Sequence, residues 1–228
     1  MAPSFIGVFF VLPESFQWHG GDGVSFFGFP IGVILSVLFE YVLLGVVVSG
    51  VAVSLIYCVV TGISPIPSSS PSRAFILGDL LGECAPDLMG AAIGELGAGW
   101  GTMAFPLSAR FPGTKVLAYE LSPVPWLFMW LRQGLFRRRN LRIHRRNFLK
   151  EPLSGLSLVV CYLHSECLEK LRPKMEAELA PGTLVISNTF DIPGWEPDAV
   201  HKLDDSFCPQ VYVYRVPGAT LNAPAPVE

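Results

Sequence analysis

The chain has 228 residues, of which 51% are hydrophobic and 15% are charged, and its formal net charge is −3. This length can bury one sizeable core, in one or two domains. A slightly negative chain has no overall attraction to nucleic acid, so no nucleic-acid partner is expected. The five cysteines form no C-x-x-C pair, and neither they nor the histidines have metal-ligand spacing. We therefore predict reduced thiols and no metal site.

Residues 1–63 form a hydrophobic region without lysine or arginine. Residues 42–63 alone are long enough to span a bilayer, which takes about 20 apolar residues. Glu40 would cost about 2.5–3.5 kcal/mol at the bilayer centre, so we place it near the outer interface. We favour one span, with residues 26–39 lying in the interface or tilting into it, because no turn separates them from the span as a second span would require.

The first basic residue of the chain is Arg73, and the others follow it. The positive-inside rule therefore predicts the N-terminus outside and the rest of the chain in the cytoplasm, at the inner (cytoplasmic) membrane.

A proline- and serine-rich linker, residues 64–72, separates this region from the predicted domain at 73–217. Its prolines favour extended chain. It could be a passive spacer or could fold over a pocket, and both interpretations stay open. Residues 73–84 are predicted to form an amphipathic helix, whose apolar side carries Phe75, Ile76, Leu80 and Leu81.

A glycine-rich segment at residues 91–101 comes next, with Gly97, Gly99 and Gly101 at alternate positions. The apolar run before it predicts a strand, residues 102–111 a helix, and residues 115–120 a second strand that ends at Glu120. In an α/β sheet this order forms a nucleotide-type pocket, although a tight structural turn is the alternative. Glycine allows positive φ and a close approach of ligand to backbone, and the Glu120 carboxylate can bind ribose hydroxyls.

The spacing of these glycines distinguishes between cofactors. A dinucleotide site needs G-x-G-x-x-G, whereas here the third glycine comes one residue early and Thr102 takes its place. The form E-x-G-x-G-x-G is the pattern of class I S-adenosylmethionine (SAM) methyltransferases. The predicted cofactor-binding residues are Glu95, Gly97, Ala98, Gly99, Gly101, Glu120, Leu121 and, after the third strand, Asn147.

An apolar helix is predicted at residues 126–136, followed by six arginines among residues 137–146. This arginine segment, Arg137–Arg146, is either a solvated loop and strand edge or a contact for anionic lipid headgroups. Further strands are predicted at 141–144, 156–163, 183–187 and 211–216, with a helix at 164–179. Residues 218–228 are predicted to be a disordered tail.

Five motifs occur in order, at residues 95–101, 118–123, 159–163, 171–183 and 186–197. Together they resemble the bacterial SAM-dependent methyltransferases related to the FAM173 group of lysine methyltransferases, over about residues 64–216. The resemblance implies an α/β, Rossmann-like class I methyltransferase sheet with helices on both faces, preceded by a transmembrane helix region. It also implies SAM as the cofactor and a protein substrate.

The predicted catalytic residues follow the fourth and fifth strands: Tyr162, Asn188, Phe190 and Trp195. They would align the acceptor, and the aromatic rings could hold a methylated ammonium group. Plain packing of the late loop is the alternative for Phe190 and Trp195, and a purely structural role is the alternative for Tyr162. We expect a membrane-anchored methyltransferase acting on a lysine of a membrane-associated protein. The alternatives are methylation of a lipid or small hydrophobic molecule, and a non-catalytic SAM-binding membrane protein.

Overall fold

A computed structural model describes residues 25–26, 29–61, 67–84 and 92–217. The chain divides into two units, residues 1–48 and residues 49–228. In the first unit, Ser25–Phe26 and Phe29–Pro30 pair as a short antiparallel ladder. The predicted tail, residues 218–228, lies outside the described residues.

Helix α1, Ile31–Thr61, is continuous, and its part Ile31–Tyr57 is long and apolar enough to cross a membrane. At 1.5 Å per residue, its 31 residues span about 46 Å, more than the roughly 30 Å hydrocarbon core. The helix therefore includes most of the predicted span, starts upstream of it and carries Glu40 in its interior. The limits of the span remain a prediction.

Helix α2 comprises Ser70–Phe75, a π-helical stretch Ile76–Leu80 and Leu81–Cys84. It begins inside the predicted linker, because Pro71 lies in the first turn, where the missing N–H of proline costs no hydrogen bond. The Ser69 hydroxyl caps it by accepting a hydrogen bond from the Ser72 N–H at 3.2 Å. Ile76, Leu80 and Leu81 are buried, as the predicted apolar side requires.

A seven-stranded sheet forms the centre of the second unit, in the order β3-β2-β1-β4-β5-β7-β6. Strands β1 to β5 are parallel, and β7 runs antiparallel between β5 and β6. The strands are Ala92–Leu96 (β1), Val116–Tyr119 (β2), Leu141–His144 (β3), Leu156–Cys161 (β4), Leu184–Asn188 (β5), Ala199–Lys202 (β6) and Gln210–Arg215 (β7). The short, half-exposed β6 was not predicted, because four residues carry too little periodicity.

Three more helices complete the domain: α3, Ala104–Arg110; α4, Pro123–Phe136; and α5, Ser165–Glu178. One core cluster joins residues of α2, α3 and α4 to the sheet, and a second cluster joins those of α5. Helices therefore cover both faces, which confirms the predicted fold class. The carboxyl ends of β1, β2, β4 and β5 meet at one edge of the sheet, where α/β folds bind their ligands.

Candidate functional site

The glycine loop after β1 takes a left-handed backbone conformation at three positions, with φ of 76° at Gly97, 53° at Gly99 and 72° at Gly101. A Cβ on Gly97 would lie 2.8 Å from Leu163 Cδ2, and one on Gly101 would lie 2.9 Å from Met129. These two glycines are therefore needed for packing as well as for backbone conformation. A Cβ on Gly99 would meet no atom within 4 Å, so its backbone is open to a ligand.

The carboxylate of Glu120 joins this loop to the end of β2. Its Oε2 accepts a hydrogen bond from the Gly99 N–H at 2.7 Å, and its Oε1 accepts one from the Ser122 N–H at 2.7 Å. The loop is also held by the Tyr119 carbonyl, which accepts hydrogen bonds from Gly97 and Ala98 at 3.0 and 2.9 Å. Glu120 is buried and therefore forms part of a rigid frame.

Glu95 is the second buried carboxyl group of the site. Its Oε2 has no hydrogen-bond partner. Burial raises the pKa of Glu95 well above its ordinary value, and the negative charge of the neighbouring Glu120 makes a smaller contribution in the same direction. A buried carboxylate without a partner is costly, so a cationic group that enters beside Glu95 would be bound favourably.

These residues border a cleft of about 570 Å³, including space open to solvent. Of the predicted cofactor-binding residues, five line it and three are not among the lining residues. The lining residues are Pro67, Ser68, Glu95, Gly97, Ala98, Gly99, Trp100, Thr102, Met103, Glu120, Ser122, Val160, Cys161, Tyr162 and Asn188.

Three of the predicted cofactor-binding residues do not line the cleft. Gly101 supports the loop through its packing on Met129. Leu121 is exposed and follows Glu120 directly. Asn147 caps a short 3₁₀ turn, since its Oδ1 accepts a hydrogen bond from the Leu149 N–H at 3.0 Å. Contacts of Leu121 and Asn147 with the cofactor remain predictions.

Two of the predicted catalytic residues, Tyr162 and Asn188, line the cleft at the ends of β4 and β5. The buried Asn188 accepts a hydrogen bond from the Ser72 hydroxyl at 2.9 Å and contacts Cys208 Sγ at 3.5 Å through its Nδ2. The Tyr162 hydroxyl donates to the Phe207 carbonyl at 3.2 Å. Burial raises the pKa of Tyr162, which keeps its phenol protonated at neutral pH.

The other two predicted catalytic residues lie further from the cleft. The Phe190 ring stacks on Tyr162, with centroids 6.1 Å apart, and contacts His164 at 4.9 Å. Trp195 Nε1 donates to Glu176 of α5 at 2.6 Å. Phe190 therefore supports the wall that Tyr162 forms, whereas Trp195 packs towards α5. Their catalytic roles remain predictions.

The segment Pro67–Ser72 contributes contacts that were not predicted. Pro67 and Ser68 line the cleft, and the Ser69 hydroxyl donates to Asp205 in the loop between β6 and β7. The segment thus folds against the cleft, in agreement with the second interpretation of the linker. The serines before α2 were a visible capping signal, but their partners Asp205 and Asn188 lie more than a hundred residues away and carry no sequence signal.

Solved structures of methyltransferases share this fold. An RNA methyltransferase from Salinibacter ruber in complex with S-adenosylhomocysteine aligns with a TM-score of 0.56 and 21% identity, over 72% of this chain and 99% of that chain. A SAM-dependent methyltransferase from Aquifex aeolicus aligns with a TM-score of 0.50 and 13% identity, over 64% of this chain and 94% of that chain. These likenesses show that the second unit has the class I methyltransferase fold.

Within that class, residues 95–199 match the ANTKMT methyltransferase domain model. A protein-lysine N-methyltransferase of Saccharolobus islandicus is 40% identical over 75 residues, which are 32% of this chain and 47% of that protein. The adenine nucleotide translocase lysine N-methyltransferase of Mus musculus is 33% identical over 110 residues, 46% of each protein. The chain thus spans about half the length of these relatives. The comparisons confirm the resemblance to the FAM173 group.

Proposed function

We propose that this protein is a SAM-dependent methyltransferase that methylates a lysine side chain of a membrane-associated protein. The main support for this proposal is that the residues that match the ANTKMT domain include most of those that border the cleft. The residues that match the ANTKMT domain, 95–199, supply the glycine loop, the Glu120 carboxylate and the strand ends that border the cleft.

Three features of the cleft residues support SAM as its ligand. The open space at Gly99 lets the cofactor approach the main chain. The Oε2 atom of Glu95, which has no hydrogen-bond partner, would bind the α-ammonium group of the methionine part. Each Glu120 oxygen already accepts one main-chain hydrogen bond and has a second lone pair for a ribose hydroxyl. Gly97, Ala98 and Leu121 would complete the cofactor contacts.

When bound, SAM supplies the electrophilic methyl group. The chain contributes alignment, because a displacement needs the reacting atoms at about 3–3.5 Å. Tyr162 and Asn188 lie at neighbouring strand ends and both line the cleft. Asn188, fixed by Ser72, would orient the acceptor amine. The rings of Tyr162 and Phe190 would attract its developing positive charge.

The substrate class and the location are inferred from two different features. The two relatives named above are lysine methyltransferases, which supports a lysine acceptor. The candidate membrane helix Ile31–Tyr57 supports a bilayer anchor and a membrane-associated partner. By the positive-inside rule, the domain would face the cytoplasm at the inner membrane, with Arg137–Arg146 close to anionic headgroups.

Cofactor binding is tested first, by calorimetric titration of SAM into the full chain. We expect one site in the wild type and none in Gly99→Arg, because the arginine side chain would fill the open space. Gly182→Arg is the matched control, since Gly182 is exposed, also has a positive φ (82°) and meets no atom within 4 Å. A wild type that does not bind SAM would disprove the proposal.

The acceptor is tested next, by transfer of a labelled methyl group in membranes that contain the protein. Label in a protein band that releases methyl-lysine on hydrolysis supports the proposal. Label in the lipid or small-molecule fraction would replace it with the first alternative. SAM binding without transfer into any fraction would leave the non-catalytic alternative.

A further inference from the structure

The outward face of helix α4 carries no charged or polar side chain. Leu131 is 58% exposed and Leu135 is 78% exposed, whereas Met129 on the opposite side is fully buried. The exposed residues of α4 are Leu127, Phe128, Trp130, Leu131, Gly134, Leu135 and Phe136, and we call them the apolar face. Leu127, Leu131 and Leu135 are four residues apart and therefore form one stripe. Contiguous apolar surface of this kind marks an interaction site.

A dense positive charge adjoins the C-terminal end of the apolar face. The helix ends at Arg137, which takes a left-handed conformation with φ of 45°. Arg137, Arg138 and Arg139 are exposed and form no ion pair with the described residues, whereas Arg146 pairs with Glu151 at 3.1 Å. Six of the sixteen basic residues of this net-negative chain lie within residues 137–146, which points to an anionic partner.

A groove between α3 and α4 brings charge and apolar surface together. The Arg132 guanidinium lies 4.2 Å from the Phe105 ring centroid and 5.6 Å from that of Phe136. Arg138 lines the same groove. Guanidinium groups that rest on aromatic rings at the edge of an apolar face are well placed for the phosphates of lipid headgroups.

We propose that α4 is an interfacial membrane helix, whose apolar face lies in an anionic bilayer surface while Arg137–Arg139 contact the headgroups. A helix of this type inserts its apolar side chains about 5–10 Å into the boundary between headgroups and acyl chains. Trp130 is the residue type that favours this depth. The bilayer is preferred to a protein partner because the arginine cluster complements an anionic surface, and because the same chain carries a candidate membrane helix.

This contact would bring the cleft close to the membrane. The Phe128 ring packs edge-on against Trp100, with centroids 5.5 Å apart, and Trp100 lines the cleft. A docked α4 therefore holds one rim of the cleft at the headgroup level. Acceptor lysines close to the bilayer surface would be selected. The docking itself does not depend on the proposed methyl transfer and can be measured separately from it.

The test uses the full chain reconstituted in vesicles of phosphatidylcholine and phosphatidylglycerol that carry brominated acyl chains. Tryptophan fluorescence is compared between the wild type, Trp130→Phe and Trp195→Phe. We expect bromolipid to quench most of the emission that Trp130 contributes, and little of that from Trp195, which is bonded to Glu176. Unquenched Trp130 emission would overturn the proposal, because the apolar face would then not lie among the acyl chains.

The role of the arginines is tested by R137Q/R138Q/R139Q in the same vesicles. Each substitution is expected to lower the ratio of docked to undocked α4 about fivefold. The charge-matched control K150Q/K170Q/K202Q changes three exposed lysines elsewhere and should leave the ratio unchanged. Equal loss in both variants would overturn the headgroup contact. SAM titration of each variant checks folding and keeps this result separate from a failure of the proposed function.

Discussion

The Glu120 carboxylate accepts a hydrogen bond from the Gly99 N–H at 2.7 Å, and this bond ties the end of β2 to the loop that follows β1. The left-handed backbone at Gly99 aims its N–H at the carboxylate. Both groups also border the cleft, so this part of the cleft is held in place without a ligand. Such preorganisation lowers the entropic cost of binding.

Replacement of Glu120 is the most direct test of this frame. Glu120→Gln keeps the shape of the side chain but leaves one oxygen to accept hydrogen bonds, so either the Gly99 or the Ser122 N–H loses its partner. We expect SAM affinity to fall about 10- to 100-fold, the equivalent of about 1–3 kcal/mol. Calorimetric titration measures the change, and the exposed Glu169→Gln is the control. Unchanged affinity would show that the frame is not needed.

The buried Glu95 predicts how stability depends on pH. Burial and the Glu120 charge raise the pKa of Glu95 above its ordinary 4.5, so the folded state holds a proton that the unfolded state has lost. The free energy of unfolding should therefore fall as pH rises from about 4.5 to the raised pKa, by up to about 1.4 kcal/mol per pH unit. Urea unfolding of the wild type and Glu95→Gln at several pH values checks this. The variant should lack that fall, and identical profiles would contradict it.

Because the pKa of Glu95 is raised, we expect SAM binding to release a proton from it. A cationic ammonium beside Glu95 favours the carboxylate form and lowers its pKa, so affinity should rise with pH until Glu95 is ionised in the free protein. Calorimetry in buffers of different ionisation enthalpy measures the proton release. The release should vanish in Glu95→Gln. A release that persists in the variant would assign the proton to another group.

The hydrogen bond from Ser69 to Asp205 is expected to hold the segment Pro67–Ser72 against the cleft. The hydrogen bond from the Ser69 hydroxyl lowers the pKa of Asp205 below its ordinary 3.8, and the hydrogen bond from the Phe207 N–H contributes in the same direction. The contact is therefore fully present above about pH 3.8 and is lost as pH falls through the lowered pKa. Asp205→Asn should increase amide hydrogen exchange in residues 67–75, and the exposed neighbour Asp204→Asn should not. Equal exchange in both variants would rule out the contact as the cause.

Tyr162 is expected to act by position and not as a base. Because burial raises the pKa of Tyr162 above its ordinary 10.0, the phenol stays protonated wherever the enzyme is assayed near neutrality. Tyr162→Phe keeps the aromatic ring that stacks on Phe190 and removes the hydroxyl that donates to the Phe207 carbonyl. We expect kcat to fall less than about tenfold, without a change in the pH–rate profile. A shifted profile would assign proton transfer to Tyr162.

Much of the glycine-loop side of the cleft could be predicted from the sequence, because its pattern is local. The pattern consists of three glycines, Gly97, Gly99 and Gly101, and the acid that ends the next strand. All four residues lie close together along the chain. The acceptor half could not be predicted to the same extent. Asn188 depends on Ser72, 116 residues away, and Trp195 lies in the predicted loop but packs on α5.

The sequence by itself determined the order of the helices and of the five parallel strands, the glycine loop and the apolar character of α1, because these follow from neighbouring residues and their periodicity. Only the tertiary structure decided which groups lack partners. The fold buries Glu95 with its Oε2 atom unpartnered. It also covers Met129 of α4, whereas Leu131 and Leu135 of the same helix are exposed. Burial depends on what packs against each side of an element, and that is a property of the folded chain.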